Sequence, residues 1–212
     1  MATPARGPHT ASEMAAHDFG DDSDEALMLG YANGSVAAFD ALYARHRGGV
    51  YRYVLRNCGN AGTADELFQD VWTNLIRTRA TYTPTSRFSA WLYTLAHHRL
   101  VDHWRATGQL DTVPIDGDGA ANDAAHAVAD ARAGEPDARA ENREAAVRLR
   151  AALATLPPLQ RDAFLLQQES GLSLLQIATL TGVGVETVKS RLRYAVAKLR
   201  FELRSLHEMA PR

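Results

Sequence analysis

Apolar positions recur at helical spacing through most of the chain, and no stretch alternates apolar and polar residues as a half-buried strand would. Leu27, Met28 and Tyr31 open the first run, which breaks at Asn33-Gly34 and restarts with Ser35 as a cap. Phe39, Leu42 and Tyr43, then Val50, Tyr51, Val54 and Leu55, form the apolar side of one long helix or of two abutting ones. After a turn at residues 57–62, a helix over about 63–79 is predicted to bury Leu67, Phe68, Val71, Trp72, Leu75 and Ile76. A loop at 81–86 leads to a further helix over about 87–106. Residues 107–140 are rich in Ala, Gly and Asp and poor in large apolar side chains, the composition of a flexible linker. Helical patterning resumes from about Glu141 to Leu206. The expected organisation is all-α: a tail over 1–22 with the composition of disorder, a helical domain over 23–106, the linker, a second helical domain over 141–206, and a short tail over 207–212.

The second domain holds the most informative stretch. Ser173 and Gln176 have capping-box spacing, so a helix starts there, with Ile177, Ala178 and Leu180 on its buried side. Gly182 supplies a tight turn, and a second helix begins near Val185. Val188, Leu192, Ala195, Val196 and Leu199 recur along its apolar side, while Glu186, Thr187, Lys189, Ser190, Arg191, Arg193 and Tyr194 occupy the other. Two short helices crossing closely at a glycine, the second with a basic polar face, make a helix-turn-helix whose second helix fits the DNA major groove.

Charge sharpens this picture. The net charge of the 212-residue chain is only −2. Yet residues 27–107 carry nine basic and five acidic side chains, and residues 145–212 carry ten and five. The acidic excess sits in the amino-terminal 26 residues and in 108–144. Two basic blocks thus alternate with two acidic ones, as expected if the helical domains face nucleic acid and the tail and linker do not. A single cysteine, Cys58, allows neither an internal disulfide nor a zinc site and reads as a half-buried structural thiol. No secretory signal pattern and no run of about 20 apolar residues is present, so a cytoplasmic protein without membrane insertion is expected. His97, His98, Asp102 and His103 could suggest a metal site, but His97 and His98 point in different directions and no zincin pattern surrounds them. No metal, no cofactor and no catalytic residues are expected.

Several motifs, in order, carry a resemblance. Ala64-Asp65-Glu66-Leu67-Phe68-Gln69-Asp70-Val71-Trp72 and Phe88-Ser89-Ala90-Trp91-Leu92-Tyr93-Thr94-Leu95-Ala96 come first. Leu156-Pro157-Pro158-Leu159-Gln160-Arg161 and the helix-turn-helix follow. Together they resemble the extracytoplasmic-function (ECF) group of bacterial sigma-70 factors, region 2 over about 24–106 and region 4 over about 145–204. The resemblance implies a transcription initiation factor that binds core RNA polymerase, recognises minus-35 and minus-10 promoter elements and helps open the strands, the polymerase supplying the chemistry. It assigns Glu66, Gln69 and Asp70 to the polymerase clamp. Phe88, His97, His98 and Arg99, with the loop at 82–88, are assigned to the minus-10 element and a flipped base. Thr187, Lys189, Ser190, Arg191, Arg193 and Tyr194 are assigned to the minus-35 element, with Arg161 a further candidate for phosphate. The group commonly has Asn at His98 and often Arg at Tyr194, and this chain departs from that pattern at both positions. It also implies control by an anti-sigma factor. The alternative is a sigma-like decoy that titrates an anti-sigma factor without binding promoters.

Overall fold

Side-chain caps set the helix starts. In the computed structural model, which describes residues 22–110 and 136–208, Ser23 accepts a hydrogen bond from the Ala26 amide at the start of α1 (Asp24–Ala32). Ser35 does the same for α2 (Val36–Cys58) through the Ala38 amide, and Asn60 for α3 (Ala61–Thr78) through that of Thr63. Each cap satisfies one of the amides that a helix start leaves without a partner. The patterning between Val36 and Cys58 resolves into one helix rather than two. A short 3-10 turn, Arg79–Thr81, leads into the loop before α4 (Phe88–Ala106).

These four helices close around one core. Leu42, Val50, Tyr53 and Val54 of α2 meet Val71, Trp72 and Leu75 of α3 and Leu92, Ala96, Leu100 and Trp104 of α4. Trp72 is held edge-on by Tyr43, ring centroids 4.8 Å apart, and by Phe39 at 5.9 Å. Such edge-to-face aromatic pairs add to the stabilisation from burial alone. Ile76 falls outside this core: 38% of its surface is exposed, because it lies at the margin of the α3 apolar stripe.

The second unit contains α5 (Pro136–Ala154), α6 (Pro158–Ser170), α7 (Leu174–Thr181) and α8 (Val185–Glu208). Helix α5 begins five residues before the expected boundary at Glu141, with Pro136 in its first turn, where a missing N–H costs nothing. The expected reciprocal cap of α7 is present: Ser173 accepts from the Gln176 amide, and the Gln176 side chain accepts from the Ser173 amide. Gly182 then turns the chain with φ 70°, a left-handed conformation that favours glycine. Residues 1–21 of the expected tail (1–22), residues 111–135 of the expected linker (107–140) and residues 209–212 lie outside the described residues. None of the described helices is long and apolar enough to cross a membrane.

Candidate nucleic-acid and polymerase interfaces

Helix α8 presents its polar side because Val188, Leu192, Ala195 and Leu199 anchor the opposite side to the second unit's core. Lys189 and Arg193 are exposed, and Thr187, Ser190, Arg191 and Tyr194 are half-buried beside them. Lys189 Nζ lies 2.7 Å from Glu186 Oε1, an exposed i,i+3 pair of small energetic weight that a stronger acceptor could displace. The Arg193 guanidinium stands 5.3 Å from the centroid of the Tyr194 ring. That cation-π contact orders Arg193 on the helix surface. All six residues expected from the pattern thus lie along one accessible face of the second helix of the helix-turn-helix.

Helix α4 and the loop before it divide the expected first-unit residues. Phe88 is fully buried, packed by Tyr82, Trp91 and His46, so it forms the floor of the loop and cannot be a contact surface. Tyr82 is also buried, its ring edge-on to Trp91 at 5.0 Å. The accessible part of the loop is Thr83–Arg87. On α4, His98 is exposed and Arg99 half-buried, whereas His97 is covered by Asp162 of α6 and removed from the surface. The expected contacts therefore contract to residues 83–87, His98 and Arg99. Partial burial, then the neighbouring His97, holds the His98 pKa below its ordinary value, so the ring is neutral at pH 7.

The start of α4 is fixed from outside. Arg87, at the cap position, provides no side-chain cap; Glu25 of α1 reaches across instead, its Oε1 accepting from the Phe88 amide at 2.7 Å. A carboxylate at a helix amino terminus is favoured both by the hydrogen bond and by the helix dipole. Nothing in the local sequence around residue 88 indicates this partner, which lies 63 residues earlier.

Glu66, Gln69 and Asp70 are all exposed on α3, opposite the buried stripe of Ala64, Leu67, Val71, Trp72 and Leu75. They form a short polar and acidic face. Arg161, by contrast, is buried at 9% exposure near Cys58 and Asp162, and it offers no phosphate contact on this surface. Cys58 is half-buried as expected, and burial pushes its thiol up from the ordinary range.

A set of polar groups that, apart from His97, the sequence pattern did not single out joins the two units. Asp162 of α6 accepts the Tyr53 hydroxyl at 2.6 Å, and its other oxygen lies 2.9 Å from His97 Nδ1, off line for a hydrogen bond. Glu169 accepts from Arg52 Nε at 3.0 Å and from Arg56, while its backbone carbonyl accepts the Tyr93 hydroxyl at 3.1 Å. Burial and the adjoining acids raise the Tyr53 and Tyr93 pKa well above the ordinary value, so both hydroxyls keep their protons and act as donors. The sequence signal for Asp162 is a carboxyl group directly before the apolar run Ala163-Phe164-Leu165-Leu166, whose side of the helix is buried.

Comparison with known proteins agrees with this layout. Residues 42–109 match the Sigma-70 region 2 family and residues 146–199 match Sigma-70 region 4. The chain is 31% identical over 180 residues to the ECF RNA polymerase sigma factor SigK of Mycobacterium sp. (strain KMS), covering 83% of this chain and 88% of that one. It is 29% identical over 175 residues to the RNA polymerase sigma factor CarQ of Myxococcus xanthus, covering 82% and 93%. Among solved structures, CnrH in complex with the cytosolic domain of CnrY shares the fold with a TM-score of 0.60 at 23% identity, covering 87% of this chain and 99% of that one. The Bartonella quintana sigma factor RpoE, solved with the anti-sigma factor NepR, gives 0.59 at 22% identity over 80% and 98%. With both sigma regions in order and curated ECF relatives matched along most of their length, the chain belongs to the ECF group of sigma-70 factors, which direct transcription initiation by RNA polymerase.

Proposed function

We propose that this sigma factor divides promoter recognition between the two accessible surfaces just described. Helix α8 enters the minus-35 major groove, with Thr187, Lys189 and Ser190 toward the base edges and their backbone. Arg191 and Arg193 act mainly on phosphates, and Tyr194 lies beside them. The loop Thr83–Arg87, with His98 and Arg99, takes the minus-10 strand as it leaves the duplex, where unstacked bases rest on ring and guanidinium surfaces. Glu66, Gln69 and Asp70 dock on core polymerase, whose basic partner surface the short acidic face complements, favouring speed of encounter and specificity.

The observation that carries this reading is α8: a fully helical second arm of a helix-turn-helix whose basic residues are held outward by four buried apolar anchors. The polymerase performs the chemistry, and this chain contributes binding and placement without catalysis of its own. It acts in the compartment that holds the polymerase. An anti-sigma factor is the proposed regulator, as for the sigma factor solved with NepR.

The test is formation of heparin-resistant promoter complexes by purified core polymerase with and without the chain. Complexes that form only with the chain, and fail when Lys189 and Arg191 are both replaced by Ala, support the division. A chain that binds core but never yields such complexes fits the decoy instead.

A further inference from the structure

Helix α4 turns one row of side chains toward a cleft of about 920 Å³, a volume within the range of small-molecule sites. His98, Val101, Asp102 and Arg105 in this row follow the i, i+3, i+4, i+7 spacing of one helix face. Across the cleft lie Leu159 at the start of α6, Leu180 and Val183 on either side of the turn after α7, and Arg191 of α8.

The walls differ in chemistry. Val101, Leu159, Leu180 and Val183 supply an apolar floor. The Thr179 and Thr181 hydroxyls on the α7 side donate back to the carbonyls of Leu175 and Ile177, at 3.0 and 2.7 Å, and have no proton left for a ligand. The carboxyl end of α7 also carries the negative pole of its helix. A negative group is therefore disfavoured on that side.

The α4 and α8 side is cationic. Three guanidinium groups, those of Arg99, Arg105 and Arg191, share the cleft with one carboxylate, Asp102, which lies 3.7 Å from Arg105 in an exposed pair. Arg99 and Arg191 are half-buried and form no ion pair among the described residues. His98 adds no charge: burial, then His97, with Arg105 and Arg99 after them, keeps its ring neutral, so it retains one N–H to donate. Two positive charges of the cleft thus have no counter-ion in the described protein.

We propose that this cleft binds a small organic phosphate, its phosphate on the arginines and an apolar or aromatic body on the leucine and valine floor, and that the bound ligand keeps promoter DNA off His98, Arg99 and Arg191. A phosphate monoester carries about two negative charges at neutral pH, matching the two unopposed guanidinium groups. The planar guanidinium fork also suits paired phosphate oxygens. A nucleic-acid backbone alone would leave the apolar floor uncovered. The exclusion of DNA rests on the reading that α4 and α8 contact the promoter; the ligand site does not.

Isothermal titration calorimetry of the full chain with 1-naphthyl phosphate tests the site, with inorganic phosphate and 1-naphthol as the two halves of the probe. One site per chain is expected, bound about tenfold or more tightly by the ester than by either half. Arg105→Glu, at an exposed position, weakens the ester by about tenfold, and Arg99→Ala/Arg191→Ala abolishes its binding, with helicity retained by circular dichroism. Lys198→Ala, exposed on α8 outside the cleft, keeps the parent affinity. Should the double variant fail to fold, Arg105→Glu decides alone. An ester that binds no tighter than inorganic phosphate, or that binds folded cleft variants like the parent, overturns the site. For the exclusion, the chain is incubated with the ester before core polymerase and promoter are added. Heparin-resistant complexes then fall about tenfold for the parent and stay at their ester-free level for Arg105→Glu. No fall in the parent, or an equal fall in both, overturns the exclusion. The calorimetry contains no DNA, so a holoenzyme that fails at promoters without the ester refutes the promoter reading and leaves the site intact.

Discussion

Replacing Glu25 by Ala removes the acceptor that fixes the start of α4. The Phe88 amide then loses its 2.7 Å partner in a half-buried position, and Arg87 at the cap site cannot replace it. Loss of a helix cap costs about 0.5–2 kcal/mol. A charge-assisted bond lies near the upper part of that range, and the lost dipole interaction adds a few tenths. A destabilisation of about 1.5 kcal/mol follows, which for a chain of this size lowers the melting temperature by about 3–6 °C. Glu25→Gln keeps an acceptor and loses only the charge, so its decrease is less than half as large. The effect reaches function, because the loop Thr83–Arg87 hangs between the 3-10 turn and the fixed end of α4. Strand opening at the minus-10 element therefore falls in Glu25→Ala more than duplex binding does. Thermal melting by circular dichroism and permanganate reactivity of the promoter provide the two readouts. A Glu25→Ala chain that melts and opens DNA like the parent refutes the cap's role.

Three further predictions follow from the proposed contacts. Asp70→Lys weakens binding to core polymerase by at least tenfold while circular dichroism stays unchanged, because Asp70 is exposed and supports no core contact; an unaltered affinity removes this α3 face from the interface. The His98 pKa is depressed in the folded chain, so the unfolded chain takes the proton first, and this group's contribution to stability is present above about pH 6.5 and lost as the pH falls below it. His98→Asn therefore flattens the decline of stability between about pH 7 and 5 relative to the parent, as denaturant titrations at each pH would register. Arg191→Ala lowers holoenzyme affinity evenly across minus-35 variants and reduces the salt slope by about one, whereas Lys189→Ala costs about 1–3 kcal/mol at one base position and relaxes preference there. Equal losses across all variants for both would place Lys189 on phosphate.

What the sequence made legible was local. The cap of α7, the turn at Gly182 and the start of α8 at Val185 are each set by residues within a few positions, so periodicity and capping chemistry suffice to find them. The same holds for the α3 stripe except at its margin, where Ile76 emerges because a helix face is bounded by its neighbours rather than by its own period. The candidate site was less legible wherever a side chain meets a distant one. Phe88 sits in an aromatic, loop-flanked context that suits a base-stacking surface, yet Tyr82, Trp91 and His46 enclose it. His97 and His98 are equivalent by composition; only the arrival of α6 buries the first and leaves the second exposed. Contacts spanning 63 residues, as for Glu25 and Phe88, or 109, as for Tyr53 and Asp162, leave no periodic trace in either segment.

A factor of this group directs core polymerase to its own class of promoters. Mapping the 5′ ends of transcripts made by purified core polymerase on total genomic DNA of the source organism, with and without the chain, tests it most directly. The predicted result is a set of starts seen only with the chain, sharing two sequence elements at a fixed spacing. Starts of this set disappear with the Lys189→Ala/Arg191→Ala chain. A chain that binds core polymerase yet adds no new starts contradicts the claim.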